Sequence, residues 1–157
     1  MKTTILTILL SVLYITGFSE KSDYKDLADY VLTDQGIVYL TDLEYGLNSY
    51  LIGKNNKEEK VYFSKKEIIS YRLDGEIFSK KKLIVDGKEC SECTFMQEMI
   101  TSAGYTVCMH EKPVGNNKKI TEFFVYYNDN YELQINNENL RVILSFFFPE
   151  FNKLYSV

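Results

Sequence analysis

In the stretch Ile120-Thr121-Glu122-Phe123-Phe124-Val125-Tyr126-Tyr127-Asn128-Asp129-Asn130-Tyr131-Glu132-Leu133-Gln134-Ile135, two β-branched and aromatic runs flank an Asn-Asp-Asn cluster. Such side chains fit a pleated, half-buried surface, and Asn and Asp tolerate the positive φ of a tight reversal. The spacing predicts a strand over Ile120–Tyr127, a turn at Asn128–Asn130, and a second strand. In that second strand Tyr131, Leu133 and Ile135 alternate with Glu132 and Gln134. In the first, alternation puts Phe123, Val125 and Tyr127 on one face and Phe124 and Tyr126 on the other. One face must be core. The other, carrying Phe124 and Tyr126, is either an apolar partner surface or the seat of a helix.

Downstream, Asn136 or Asn137 is placed to cap a helix, with Glu138 in its first turn. Leu140, Ile143, Leu144 and Phe147 mark the face that packs on the sheet. Pro149 ends the helix by pushing Phe148 out of helical geometry, and Phe151 and Leu154 are expected to return to the core. Upstream, Asp74-Gly75 is a type I′ signal between Ile69, Tyr71 and Leu73 on one side and Ile77-Phe78 on the other. The outgoing strand continues through Leu83-Ile84-Val85 to a second Asp-Gly turn at Asp86-Gly87, and Lys80 to Lys82 within it predict an exposed sheet edge.

Ile37–Leu40, Ser49–Ile52 and Val61–Phe63 read as further strands, with Lys54 to Lys60 as an exposed hairpin loop. Between Ser22 and Thr33, Tyr24, Leu27, Ala28 and Val31 fall at helical spacing, which predicts a short helix stopped by Gly36; an irregular lead-in is the alternative. Cys93 to Gly104 fits both periods. Met96 to Met99 are helix formers with Gly104 as a C′ residue, yet Phe95, Gln97, Met99 and Thr101 also alternate. The fold class expected is α+β: mainly an antiparallel meander, with a C-terminal helix packed on the sheet and a short N-terminal helix.

A length of 157 residues suits one domain, and 45% hydrophobic with 25% charged residues is the balance of a folded chain. Thirteen Tyr and ten Phe lean the same way, towards strands. The first residues carry an export signal: Lys2, an apolar run from Ile5 to Ile15, then Gly17 and Ser19 at the −3 and −1 positions of a cut before Glu20. Residues 1–19 are therefore expected to be a signal peptide, retained as an anchor in the alternative reading, and residues 20–157 one small β-rich domain. No membrane span is expected after cleavage. Without Lys2 the chain carries 17 basic against 22 acidic residues, a net charge of −5 set against −4 for the full sequence. An acidic chain without a basic stripe lacks the means to hold phosphate backbones, which excludes nucleic acid as the expected partner.

The segment Val61 to Leu154 resembles a group of small exported proteins of Bacteroidetes-type bacteria. The likeness lies in Phe63-Ser64-Lys65-Lys66-Glu67-Ile68-Ile69, the Val85-Asp86-Gly87-Lys88 turn, and Phe95 followed by Gly104-Tyr105. Tyr131-Glu132-Leu133 and Ile143-Leu144-Ser145-Phe146-Phe147 extend it. It implies that Phe95 to Thr101 is one strand of a hairpin closed at Gly104. It implies no activity and no catalytic residues. The chain departs from the pattern in placing Cys90 and Cys93 ahead of that hairpin.

One constellation gathers reactive side chains: Cys90-x2-Cys93, fourteen residues, then Cys108-x-His110, which holds every cysteine and the single histidine. As a metal set it offers Cys3His, a tetrahedral zinc composition, and on a strand Cys108 and His110 share a face. As a thiol-redox set, a helix starting at Cys93 would resemble the thioredoxin arrangement, although the eight residues Glu111 to Lys118 leave no room for a crossover helix. As a structural set, two of Cys90, Cys93 and Cys108 form a disulfide in an oxidising compartment and one thiol remains. No nucleophile elbow, phosphate loop or H-E-x-x-H pattern is present, and acidic pairs such as Asp23/Asp26 and Glu58/Glu59 lie in polar stretches.

These readings converge on a periplasmic or extracellular, non-catalytic protein that binds a protein partner or supports the cell envelope. A thiol-redox or zinc-binding protein built on Cys90, Cys93, Cys108 and His110 is the alternative, and an immunity or inhibitor-type protein is a third. No cofactor is expected outside the zinc reading. The sequence specifies neither the partner nor an oligomeric state.

Overall fold

Asp74 and Gly75 stand at φ +53° and +81°, the pair of positive values that a two-residue type I′ reversal requires. The same sign pattern recurs at Asp86-Gly87, Ala103-Gly104 and Asn128-Asp129. These reversals fix the register of the strands they join, pairing Leu73 with Glu76 and Tyr127 with Asn130. The structure is a computed structural model that describes residues 28–46, 50–115 and 118–149. The expected signal peptide, the start of the expected N-terminal helix, and Phe151 and Leu154 lie outside the described residues.

The strands are β1 (Asp29–Thr33), β2 (Gly36–Tyr45), β3 (Tyr50–Lys54), β4 (Lys60–Ser64), β5 (Ile68–Leu73), β6 (Glu76–Val85), β7 (Lys88–Ser102), β8 (Tyr105–Pro113), β9 (Lys119–Tyr127) and β10 (Asn130–Gln134). One helix, α1 (Leu140–Phe147), follows β10. The architecture is nearer all-β than the expected α+β class, with the C-terminal helix on the sheet as expected. The ambiguous segment 93–104 is strand and turn, the outcome that the family resemblance implies.

The chain divides into two compact units. In the first, whose described residues are 28–46, 50–83 and Cys90–Gln97, the strand order is β4-β3-β2-β1-β5-β6 and then β7. Its core joins Val31, Leu40, Leu43, Leu51, Phe63, Ile68 and Tyr71. Tyr71 is its hub: it stacks on Phe78 at 4.9 Å, meets Phe95 edge-on at 5.2 Å, and shares a hydroxyl hydrogen bond with Tyr45. Burial raises the Tyr71 phenol far above its ordinary pKa, and the bond to Tyr45 adds to the effect. β2 bends at a register shift between Thr41 and Glu44, where Asp42 takes φ +52°.

In the second unit the order is β7-β8-β9-β10, and α1 covers one face. Leu144 and Phe147 of α1 pack with Val107, Phe123 and Val125, and Leu140 and Ile143 lie against the same cluster. The N-cap of α1 is Asn139, not the expected Asn136 or Asn137; the Asn136 Oδ1 instead closes the preceding turn, accepting from the N–H groups of Glu138 and Asn139 at 2.8 and 3.1 Å. Glu138 therefore precedes the helix and does not sit in its first turn. Phe148 leaves helical geometry at φ −130° and ψ 83°, as the following Pro149 demands.

Three expectations are corrected. Asp29–Thr33, the end of the expected N-terminal helix, is strand β1, because two neighbouring strands, β2 and β5, offer its backbone full ladders. The Lys80–Lys82 segment is not a sheet edge, for β6 lies between β5 and β7. Lys81 is buried there, while Lys80 donates to the Lys66 carbonyl at 2.9 Å and lies 5.8 Å from the Phe95 ring. The long stems of Lys80 and Lys81 pack as apolar side chains, and Lys80 carries its ammonium group to an acceptor. Finally, Tyr131 and Leu133 do not share a face. The register shifts between them, so Tyr131 pairs with Tyr126 and Leu133 with Val125.

A Cβ added at Gly53 would meet Leu40 Cβ and Cδ1 at 3.1 Å. Gly53→Ala is expected to destabilise the protein by about 1–3 kcal/mol through overpacking, measured by urea unfolding. Leu144→Ala opens a cavity under α1 and is expected to cost about 2–5 kcal/mol, whereas Val142→Ala on the exposed side of the helix stays within about 0.5 kcal/mol.

Candidate functional site

The β8–β9 ladder places Cys108 opposite Phe124, His110 opposite Glu122 and Thr106 opposite Tyr126. All six project to the face away from Val107, Phe123, Val125 and α1, and the β10 register shift adds Tyr131 and Gln134 to them. Phe124 and Tyr126 contact the Tyr131 ring at centroid distances of 6.3 and 6.1 Å. Cys108 is wholly buried among them. Burial, reinforced by Cys108, Glu89 and Tyr131, raises the Tyr126 phenol well above the ordinary tyrosine range.

His110 Nδ1 stands 4.0 Å from a Glu122 oxygen, and Gln134 Nε2 donates to the other carboxylate oxygen at 3.4 Å. Nδ1 itself is buried without a hydrogen-bond partner. Burial lowers the His110 pKa below 6.5; Glu122 opposes that shift and Lys112 assists it. The pair is thus a neutral imidazole beside a carboxylate that is already engaged by Gln134.

The structure separates the expected chemical cluster into its two halves. Cys90 and Cys93 lie on the part of β7 that belongs to the first unit, and Cys108 and His110 belong to the second. Residues three apart on a strand project to opposite faces, so Cys90 and Cys93 do not converge on one ion. Among the described residues, which include all three cysteines and His110, no three Cys, His, Asp or Glu side chains gather as a metal set, and no disulfide joins the cysteines. The thioredoxin-like reading needed a helix starting at Cys93 to lower a thiol pKa. That residue instead sits mid-strand, so no helix starts at either thiol.

Phe124 and Tyr126 are each 1% exposed, which corrects their reading as an open partner surface. Both faces of β9 are filled, since Phe123 and Val125 are buried as well. The signal was present in the unbroken apolar run Phe123 to Tyr127, a pattern of strands buried on both sides.

Open apolar surface occurs instead on the first unit. Tyr30 pairs with Tyr39 and Leu32 with Ile37, so these four share one face of the β1–β2 hairpin. Tyr39 is 61% and Ile37 52% exposed, while Tyr30 and Leu32 are half-buried. Arg72, opposite Tyr30 on β5, lies 5.1 Å from the Tyr30 ring and donates from Nε to the Ala28 carbonyl at 3.1 Å. The guanidinium therefore stiffens one border of the strip. Assigning residues 22–33 to a helix hid this strip; the alternation of Tyr30 and Leu32 with the β-branched Val31 and Thr33 would have shown it.

Comparison with family models, with curated proteins and with solved structures yields no match to this chain.

Because the folded state lowers the His110 pKa, the unfolded chain binds the proton more readily, and stability is full above pH 6.5. Stability is expected to fall as pH drops through 6.5 towards the folded-state value, and His110→Gln removes that component. Urea unfolding across this range checks the stability, and the C2–H resonance of the single histidine reports the folded pKa directly.

Proposed function

We propose that the protein is exported and acts by binding a protein partner at the envelope, not by catalysis. The observation that carries this reading is the Tyr30/Leu32/Ile37/Tyr39 strip. Its two outermost side chains are large and more than half exposed, and they stand on paired strands instead of a loop. Tyrosine on a rigid support supplies broad contact area at small entropic cost, and such patches are common at interfaces. Lys2, the apolar run Ile5 to Ile15 and the small residues Gly17 and Ser19 support export. Among the described residues no helix is long and apolar enough to cross a membrane.

Photo-crosslinking in intact cells tests the reading, with a photoreactive residue at Tyr39 and a control at Glu111 on β8. The expected result is one stoichiometric protein adduct at position 39, none at 111, and loss of the adduct when Ile37→Ser is added. Equal labelling at both positions, or recovery of the chain from the cytosol with its leader intact, would refute it.

A further inference from the structure

We propose that two copies of this chain pair edge to edge through β4, antiparallel, about a two-fold axis at Tyr62. Among the described residues β4 is the terminal strand, bonded to β3 on one side only. The Asn55 N–H donates to the Glu59 carbonyl at 3.0 Å, which makes Asn55/Glu59 a bonded pair. Bonded and non-bonded pairs alternate along an antiparallel ladder, so Gly53/Val61 and Leu51/Phe63 exchange hydrogen bonds. Lys60, Tyr62 and Ser64 consequently aim their backbone groups away from β3. Those of Ser64 are occupied: its N–H donates to the Glu67 carboxylate at 3.1 Å, and its carbonyl accepts the Glu67 N–H at 3.0 Å. Among the described residues no backbone group pairs with the outward groups of Lys60 and Tyr62, and the Tyr62 side chain is 61% exposed. Val61-Tyr62-Phe63 carries none of the charges that usually guard an edge.

The flanking charges select a second copy as the occupant. The strand sits within Lys57-Glu58-Glu59-Lys60-Val61-Tyr62-Phe63-Ser64-Lys65-Lys66-Glu67, whose charge order is complementary to its own reverse. With the axis at Tyr62, Glu59 lies opposite Lys65, Glu58 opposite Lys66 and Lys57 opposite Glu67, each contact occurring twice. These residues lie in the turns on either side of β4 and are exposed. An axis at Val61 also matches outward groups, but it sets Lys57 against Lys65 and leaves Glu58 and Glu59 facing Ser64 and Phe63. Parallel stacking sets each charge against its own copy. With the axis at Tyr62 the two Tyr62 residues exchange backbone hydrogen bonds while Lys60 faces the occupied Ser64, so the charges decide for this register over the one centred on Val61. Exposed ion pairs are individually weak, so the dimer is weak and salt-sensitive.

Sedimentation of the protein purified from cells expressing the full chain tests this over a wide concentration range at low and high salt. A reversible monomer–dimer equilibrium that weakens with salt is expected. Tyr62→Pro removes an outward N–H while keeping the β3 ladder, and is expected to abolish the dimer with an unchanged circular dichroism spectrum. Glu58→Lys with Glu59→Lys, or Lys65→Glu with Lys66→Glu, is expected to raise the dissociation constant at least tenfold; all four together restore it. Mixing the two double variants should give a heterodimer. A protein that stays monomeric throughout, or a dimer indifferent to Tyr62→Pro and to the charge reversals, would overturn the proposal. Neither outcome bears on the Tyr39 crosslink, which uses a different strand.

Discussion

A type I′ reversal joins right-twisted strands with positive φ at both of its residues, and that constraint sets much of this molecule. Asp74-Gly75 and Asp86-Gly87 place the ends of β6, and Ala103-Gly104 and Asn128-Asp129 place those of β8 and β9. Each turn fixes which residues lie opposite one another, and therefore which side of the sheet each residue occupies. The Asp74-Gly75 turn thereby sets Tyr71 opposite Phe78 in one core, and the longer-range pairings of Val31 with Tyr71 and of Val107 with Val125 beneath α1 complete the two cores. Burial of those side chains then supplies the stabilisation that offsets ordering so many short strands.

Much of this was legible because turn chemistry is local. Asp-Gly and Asn-Asp carry their conformational preference in two residues, and Pro149 likewise marks the end of the last helix. What stayed hidden depended on neighbours distant in sequence. The helical spacing of Tyr24, Leu27, Ala28 and Val31 gave way to a strand because Asp29–Thr33 found partners on both β2 and β5. The lysines of β6 resembled an edge until β7 lay beside them, when long stems allowed burial of Lys81 that the charge pattern argued against.

The site followed the same division. Cys108 and His110 share a face, as strand alternation required, and His110 meets Glu122 across the ladder. The redox reading of Cys90 and Cys93 needed a helix after Cys93; in β7 their spacing sends them to opposite faces, which also works against a shared ion. Phe124 and Tyr126 looked like surface because a strand is expected to have a wet face, and the stretch Phe123–Tyr126 of β9 has none. The exposed Tyr39 and Ile37 were visible as strand residues, but their apolar neighbours Tyr30 and Leu32 became part of the same strip only through the β1–β2 register.

The register shift between Tyr131 and Leu133 gives the last hairpin a low tolerance for changes of length. It lets Tyr131 join the aromatic side while Leu133 and Ile135 turn towards α1, whose entry is held by Asn139 Nδ2 donating to the Gln134 carbonyl at 2.9 Å. Loss of one residue here would straighten the strand and trade the two sets of side chains, and gain of one would carry the helix away from its seat. Divergent versions of this chain should therefore keep the spacing from Tyr127 to Asn139 fixed, while insertions collect in the loop between β8 and β9.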